Sequence, residues 1–321
     1  MAIQGSTRYI AFGCSYTQYS YPTYADFLGQ HFDYRENLGS TGAGNRFIFH
    51  KLISSLDALR REGVTLTEND LITIQWSGLP REDKIKNGQH VYPCCGYLGS
   101  QGEFSEEYVN KYFSIEQSFY ESINYIIAAK TILDSMDVQY KMFNMMDLTF
   151  GDSEDLLGEV FYNKLFNDNN FHTLKEQGYL GELNKVMPGN IESIEGYRLS
   201  NTVNKEKPYY YSFPNLKGKI EMHEDTHPTP ESHYEYAKYL SSNLNFDLIK
   251  HNPRNYRDLF DFCDNYFSKE NVKKLTDINK PVNETHQMWE KFGLGKDNTE
   301  ELSRYRSNSI LEYLNNYKQV I

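Results

Sequence analysis

Cysteine is scarce in this chain of 321 residues: Cys14, Cys94, Cys95 and Cys263 are the only four, and no two form a C-x-x-C pair. That usage excludes a disulfide-stapled scaffold and removes the common thiol-based metal and redox motifs. The adjacent Cys94 and Cys95 read as two reduced thiols in a loop. Basic residues are in deficit as well, with 33 Lys and Arg against 44 Asp and Glu and a net charge of −11. With no basic face to neutralise phosphates, the composition argues against a nucleic-acid partner and against docking on anionic lipid. No segment approaches the roughly 20 apolar residues needed to cross a bilayer, so no membrane span is expected. Residues 1–6 carry no basic n-region, and the apolar run Tyr9 to Phe12 is too short for a signal h-region. The expectation is a cytoplasmic protein whose first strand starts there.

What the chain has in quantity is tyrosine, 27 residues within an aromatic total of 15%. Tyr serves cores and sugar-binding surfaces alike, having an apolar face and a polar tip. Residues 8–13 (RYIAFG) suit a strand that ends in a tight turn and a helix start, with a second extended piece near Tyr34 to Leu38. From Arg46 to Glu62, Ile48, Leu52, Leu56 and Leu59 recur as a helix face requires, and Gly63 stops the pattern. Leu71 to Trp76 (LITIQW) reads as a buried strand, Phe113 to Met136 as one long amphipathic helix, and Tyr140 to Met146 as another strand. Strands alternating with helices predict a parallel sheet covered by helices. The pattern degrades over 147–208, which reads as an insertion. It returns as a helix over His233 to Leu244, then as helices over Tyr256 to Phe267 and Thr299 to Tyr317. The expected organisation is a first domain over 1–250 and a helical appendage over 251–321. Tyr209, Tyr210 and Tyr211 are expected to pack rather than to line a cleft.

Three blocks carry candidate chemistry. The first is Phe12-Gly13-Cys14-Ser15-Tyr16-Thr17, directly after the first predicted strand. A Ser at a strand-to-helix turn shows its hydroxyl above the sheet edge, and helix N-termini present free N–H donors. Taken alone, Ser15 reads first as an ordinary helix N-cap. The second block, Asn37-Leu38-Gly39-Ser40-Thr41-Gly42-Ala43-Gly44-Asn45, is rich in glycines that let a backbone approach a substrate. It is not a phosphate-binding P-loop, since no Gly-Lys-Ser/Thr follows, nor does it match the dinucleotide fingerprint. The third, His223-Glu224-Asp225-Thr226-His227-Pro228, precedes a predicted helix and places a histidine beside carboxylates. A carboxylate can hold such a ring in the tautomer that accepts a serine proton. A metal reading of His223, Asp225, His227 and His233 offers zinc-type ligands, but their spacing across two prolines matches no recognised helical pair.

A strand followed by G-x-S, then an Asn-x-x-x-x-Gly loop, then a carboxylate and a His-Pro late in the chain resemble the SGNH/GDSL hydrolases, over the frame of residues 8–248. The resemblance implies a flavodoxin-like three-layer α/β/α fold and a serine esterase that needs no metal or organic cofactor. It implies Ser15 as nucleophile, His227 as base, and the backbone N–H groups of Ser15 and Gly42 as oxyanion donors. Asp225 is the favoured acid, with Glu224 open. No Asn follows the strand at Leu71 to Trp76, where the family places a side-chain donor; Asn45 and Arg81 stand as substitutes. The implied partner is a small-molecule or glycan ester, an O-acylated carbohydrate first. Acyl transfer through the same serine and a catalytically inactive glycan-binding or structural module are the alternatives.

Overall fold

The computed structural model describes residues 7–79, 81–86, 89–91, 106–144, 208–214, 218–225, 227–243 and 256–280. These form two compact units, one holding the described residues of 7–17 and 32–144, the other those of 18–31 and 208–280. Nearly all of the expected insertion, and the helix expected over 299–317, lie outside the described residues.

The centre of the first unit is β3 (Leu71–Trp76), in which every residue is buried. A strand in that position needs a partner on each edge. It has β1 (Arg8–Phe12) on one side and β6 (Gln139–Asn144) on the other, and β2 (Tyr34–Asn37) extends the sheet beyond β1. The order β2-β1-β3-β6 is parallel throughout, with Ile10 level with Ile72 and Ile72 level with Tyr140. Parallel pairing is consistent with side chains buried on both faces of β3. The helix α2 (Asn45–Arg61) buries Ile48, Leu52 and Leu59 and packs on β1 and β3. Helix α4 (Ile115–Asp134) packs on α2. The unit is thus an α/β arrangement of a parallel four-stranded sheet with flanking helices, as the alternating pattern predicts.

Three departures have local causes. The helix expected over Phe113 to Met136 is α4, and a separate short helix, α3 (Glu106–Tyr112), precedes it: Ser114 in an extended conformation caps α4, its hydroxyl accepting from the Gln117 N–H at 3.2 Å. A side-chain oxygen that satisfies a helix-end N–H starts a new helix. A short antiparallel hairpin, β4 (Lys84–Lys86) with β5 (Gln89–Val91), carries no hydrophobic alternation to announce it. No helix starts at the Ser15 turn. The next one, α1 (Tyr24–Gly29), begins after Pro22, with Thr23 and Asp26 closing a capping box. Proline disfavours helical conformation in the residue before it, which pushes the start past Tyr21.

In the second unit α1 packs against α5 (Pro230–Asn243), and the hairpin β7 (Tyr210–Pro214) with β8 (Ile220–Glu224) packs against α7 (Lys269–Asp277). Helix α6 (Arg257–Tyr266) contacts both α5 and α7. Phe267 anchors this arrangement: its C=O accepts from the Tyr210 N–H at 2.8 Å, and its ring stacks on Tyr209. The described part of the expected appendage is therefore bound into the same unit as the hairpin. Tyr209 and Tyr210 are buried, while Tyr211 is half-buried and stacks on His223 across the hairpin.

Candidate active site

The Ser15 turn grows from the end of β1. The Thr17 N–H closes it on the Cys14 C=O at 2.9 Å, and Thr17 is held from two further directions. Its hydroxyl donates to Gln75 Oε1 at 2.9 Å, and its C=O accepts from the Asn37 side chain at 2.6 Å. Gly13 is required there: a Cβ would lie 2.0 Å from Thr17 Oγ1 and 3.1 Å from the Gln75 C=O. The turn is thereby locked onto β3 and onto the end of β2. Ser15 itself is buried at 2% exposure, in contrast to the open hydroxyl that a helix-start turn suggests. The Gln75 amide nitrogen is also buried and has no partner among the described residues.

The glycine loop continues the β2–β1 ladder, with Leu38 N–H on the Ala11 C=O at 2.8 Å and Ser40 N–H on the Gly13 C=O at 2.9 Å. Gly42 takes the left-handed φ of 81° that glycine tolerates best. Gly44 is the N-cap of α2, and its missing side chain makes room for a carboxylate rather than a substrate: a Cβ there would meet Asp83 Oδ2 at 2.7 Å. Asp83, 2% exposed, accepts from the Gly44 and Phe47 N–H groups at 2.8 and 2.7 Å. Burial pushes its carboxyl up to about 6, against the pull of those two N–H groups and of Arg46 and Arg81. Asn45 donates its amide to the Ser77 C=O at 3.0 Å and to Ser122 Oγ at 2.9 Å, and accepts the Ser77 N–H at 2.7 Å. Arg81 donates to the Ala43 C=O at 3.0 Å. The two residues named as substitute oxyanion donors thus bind the protein's own backbone.

In the second unit, Asp225 follows directly on β8, and its N–H is fixed on the Tyr209 C=O at 2.8 Å. Its Oδ1 lies 2.7 Å from His227 Nδ1 and accepts the His227 backbone N–H at 3.0 Å, a turn that Pro228 stiffens. The Tyr21 and Tyr19 hydroxyls donate to the same carboxylate at 3.1 and 3.3 Å. Tyr19 also stacks on the His227 ring at a centroid distance of 4.1 Å. Tyr21 is fully buried and its phenol is raised well above its usual range, chiefly by burial and then by Asp225, so it stays a donor at any ordinary pH. A carboxylate that only accepts requires the proton on Nδ1, which makes Nε2 the basic nitrogen of the ring. The His227 side chain is 22% exposed and that of Asp225 2%. Glu224 is exposed at the end of β8, level with Tyr210, and takes no part in this pair.

Sequence reasoning missed Tyr19 and Tyr21. Their signal was only the aromatic-rich stretch behind Ser15, and nothing in it points to a residue more than two hundred positions away. His233 is buried on α5, and burial, then the charge of His227, lower its ring to about 3. His223 stacks on Tyr211 instead. Among the described residues no three His, Cys, Asp or Glu side chains converge as metal ligands, and no helix is long and apolar enough to cross a membrane. Comparison with protein-family models, curated protein sequences and solved structures finds no match for this chain. What is established is an α/β sheet unit carrying a locked serine turn, and a second unit carrying an aspartate–histidine pair.

Proposed function

We propose that this chain is a serine esterase of the SGNH/GDSL kind, with a flavodoxin-like fold, acting on an acyl ester of an O-acylated carbohydrate. The observation that carries the proposal is the 2.7 Å contact between Asp225 Oδ1 and His227 Nδ1, with two tyrosine hydroxyls completing the carboxylate's shell. That arrangement fixes ring and tautomer, as a general base in acyl transfer requires. The reading makes Ser15 the nucleophile. His227 Nε2 takes the Ser15 hydroxyl proton while Oγ bonds to the acyl carbon, and the Ser15 and Gly42 N–H groups face the oxyanion. Collapse releases the alcohol, which leaves with that proton, and water attacks the acyl-enzyme by the same base. The buried Asp225 side chain, bonded to Nδ1, stabilises the imidazolium in between. The tyrosine wealth around His227 supports a sugar as the alcohol part of the ester, since aromatic faces suit sugar rings.

The test is p-nitrophenyl acetate hydrolysis and fluorophosphonate labelling by wild type, Ser15→Ala and His227→Ala, with folding checked by circular dichroism. Activity in wild type and a loss of about a thousandfold or more in both folded variants is the expected result. A wild type inert to both reagents overturns the esterase and leaves a binding or assembly module.

A further inference from the structure

The peptide unit that joins Ala43 to Gly44 is held at both of its polar ends by side chains from beyond β3. Its C=O accepts from Arg81 Nη1 at 3.0 Å, and its N–H donates to Asp83 Oδ1 at 2.8 Å. The other carboxylate oxygen takes the Phe47 N–H at 2.7 Å, so Asp83 caps α2 in place of the side chain that Gly44 lacks. The preceding peptide is tied as well, with the Ala43 N–H on the Ser40 C=O at 3.1 Å. A peptide bonded at one end can still swing about its neighbouring dihedrals, whereas one bonded at both ends cannot. Gly42, at φ 81°, is the residue just before this fixed unit and is the one whose backbone would otherwise turn most freely.

We infer that Asp83 and Arg81 are positioning residues, and that by pinning the Ala43–Gly44 peptide they fix the direction in which the Gly42 N–H meets the oxyanion. The inference rests on the Ser15 reading above. It also accounts for the polar stretch downstream of β3: these side chains act on the glycine loop and need not touch the substrate. A preorganised donor stabilises a developing charge only if it does not have to rotate toward it during the reaction.

The test uses the full chain carrying Asp83→Asn, Arg81→Met or Arg81→Lys. The readouts are kcat and KM on p-nitrophenyl acetate, the fluorophosphonate labelling rate, and amide hydrogen exchange of residues 40–47. Asp83→Asn is expected to lower kcat and labelling about tenfold, less than the 10²–10³ that follows outright removal of an oxyanion donor. KM should stay within about twofold, and exchange over 40–47 should rise while β1 and β3 are unchanged. Arg81→Met should show the same pattern and Arg81→Lys should recover most of it, since Lys keeps a donor for the Ala43 C=O. Unchanged kcat in folded Asp83→Asn and Arg81→Met overturns the inference, as does a raised KM at constant kcat, which would place these groups on the substrate. If Asp83→Asn does not fold, the two Arg81 variants decide. If wild type is inert to both reagents, the Ser15 reading falls and takes the oxyanion role with it. Exchange then reports separately whether the loop is pinned, and unchanged exchange overturns that part too.

Discussion

The partners of the His227 cluster and those of the Ser15 turn differ in kind. Around His227 the decisive contact spans two residues, Asp225 to His227, and the rest of the shell is aromatic: Tyr19 stacked on the ring, Tyr21 donating to the carboxylate. Around Ser15, itself buried, the neighbouring residues brace the turn. Thr17 reaches Gln75 on β3, Asn37 reaches Thr17 from β2, and Asp83 reaches Gly44 from across the sheet's loop end. A pair two residues apart needs only a turn to bring it together. A turn braced by two neighbouring strands needs the whole sheet in register first, so its geometry is only as sound as the β1–β3 pairing.

The two regions also oppose each other in their response to acid, because among its buried groups each holds a shifted one of opposite type, His233 in one and Asp83 in the other. His233 in the second unit is lowered to about 3 by burial, so below about 6.5 the unfolded chain takes a proton that the folded one refuses. Its cost is absent near neutrality and grows as pH falls from about 6.5 to 3. Asp83 in the first unit is raised to about 6, so its cost is absent below about 4, grows as pH rises to 6, and is constant above that. Acid therefore weakens one unit through His233 and relieves the other through Asp83.

The largest effect should come from Asp225→Asn. An amide in place of the carboxylate no longer enforces the Nδ1–H tautomer, and esterase activity should fall by about 10⁴-fold. Glu224→Gln, changing the neighbouring exposed carboxylate, should leave kcat/KM within about twofold; equal losses in the two would break the assignment of the pair. Next comes His233→Gln, read by urea denaturation at pH 7 and pH 5. Wild type should lose about 2 kcal/mol from this group over that interval, and the variant should not. An identical pH slope in both proteins would show that His233 takes up its proton without cost, ending the contrast between the units. The smallest effect is Thr17→Val, nearly isosteric, which strips the hydroxyl from Gln75. It should cost about 1–2 kcal/mol in urea denaturation and slow fluorophosphonate labelling, with Thr17→Ser close to wild type. Slower labelling without any loss of stability would mean that Thr17 acts on the substrate rather than through the turn.

Much of the sheet could be read in advance because its signals are local. The run LITIQW becomes β3, and the spacing of Ile48, Leu52 and Leu59 becomes the buried face of α2. Both follow from the match between side-chain period and backbone geometry. The short helix α3 ahead of Ser114 and the helix that starts at Thr23 could not be placed as easily, since their limits depend on one capping side chain or one proline. The hairpin at Tyr210 and Ile220 escaped for another reason. Its support is Phe267, whose backbone and ring contacts appear only after folding.

For the candidate site, the sequence by itself determined the chemical vocabulary: a serine after a strand, glycines that admit a close neighbour, and a histidine two residues from an aspartate. Short-range geometry made that much inevitable, because a turn of three residues leaves Asp225 within reach of the His227 ring. Only the tertiary structure decided which group occupies each place. It took Asp225 rather than Glu224, gave Gly44 to the Asp83 carboxylate, and committed Asn45 and Arg81 to backbone. The physical reason is that a buried polar group must find a partner, and which partner is nearest depends on sheet register and loop packing, which the local sequence does not encode.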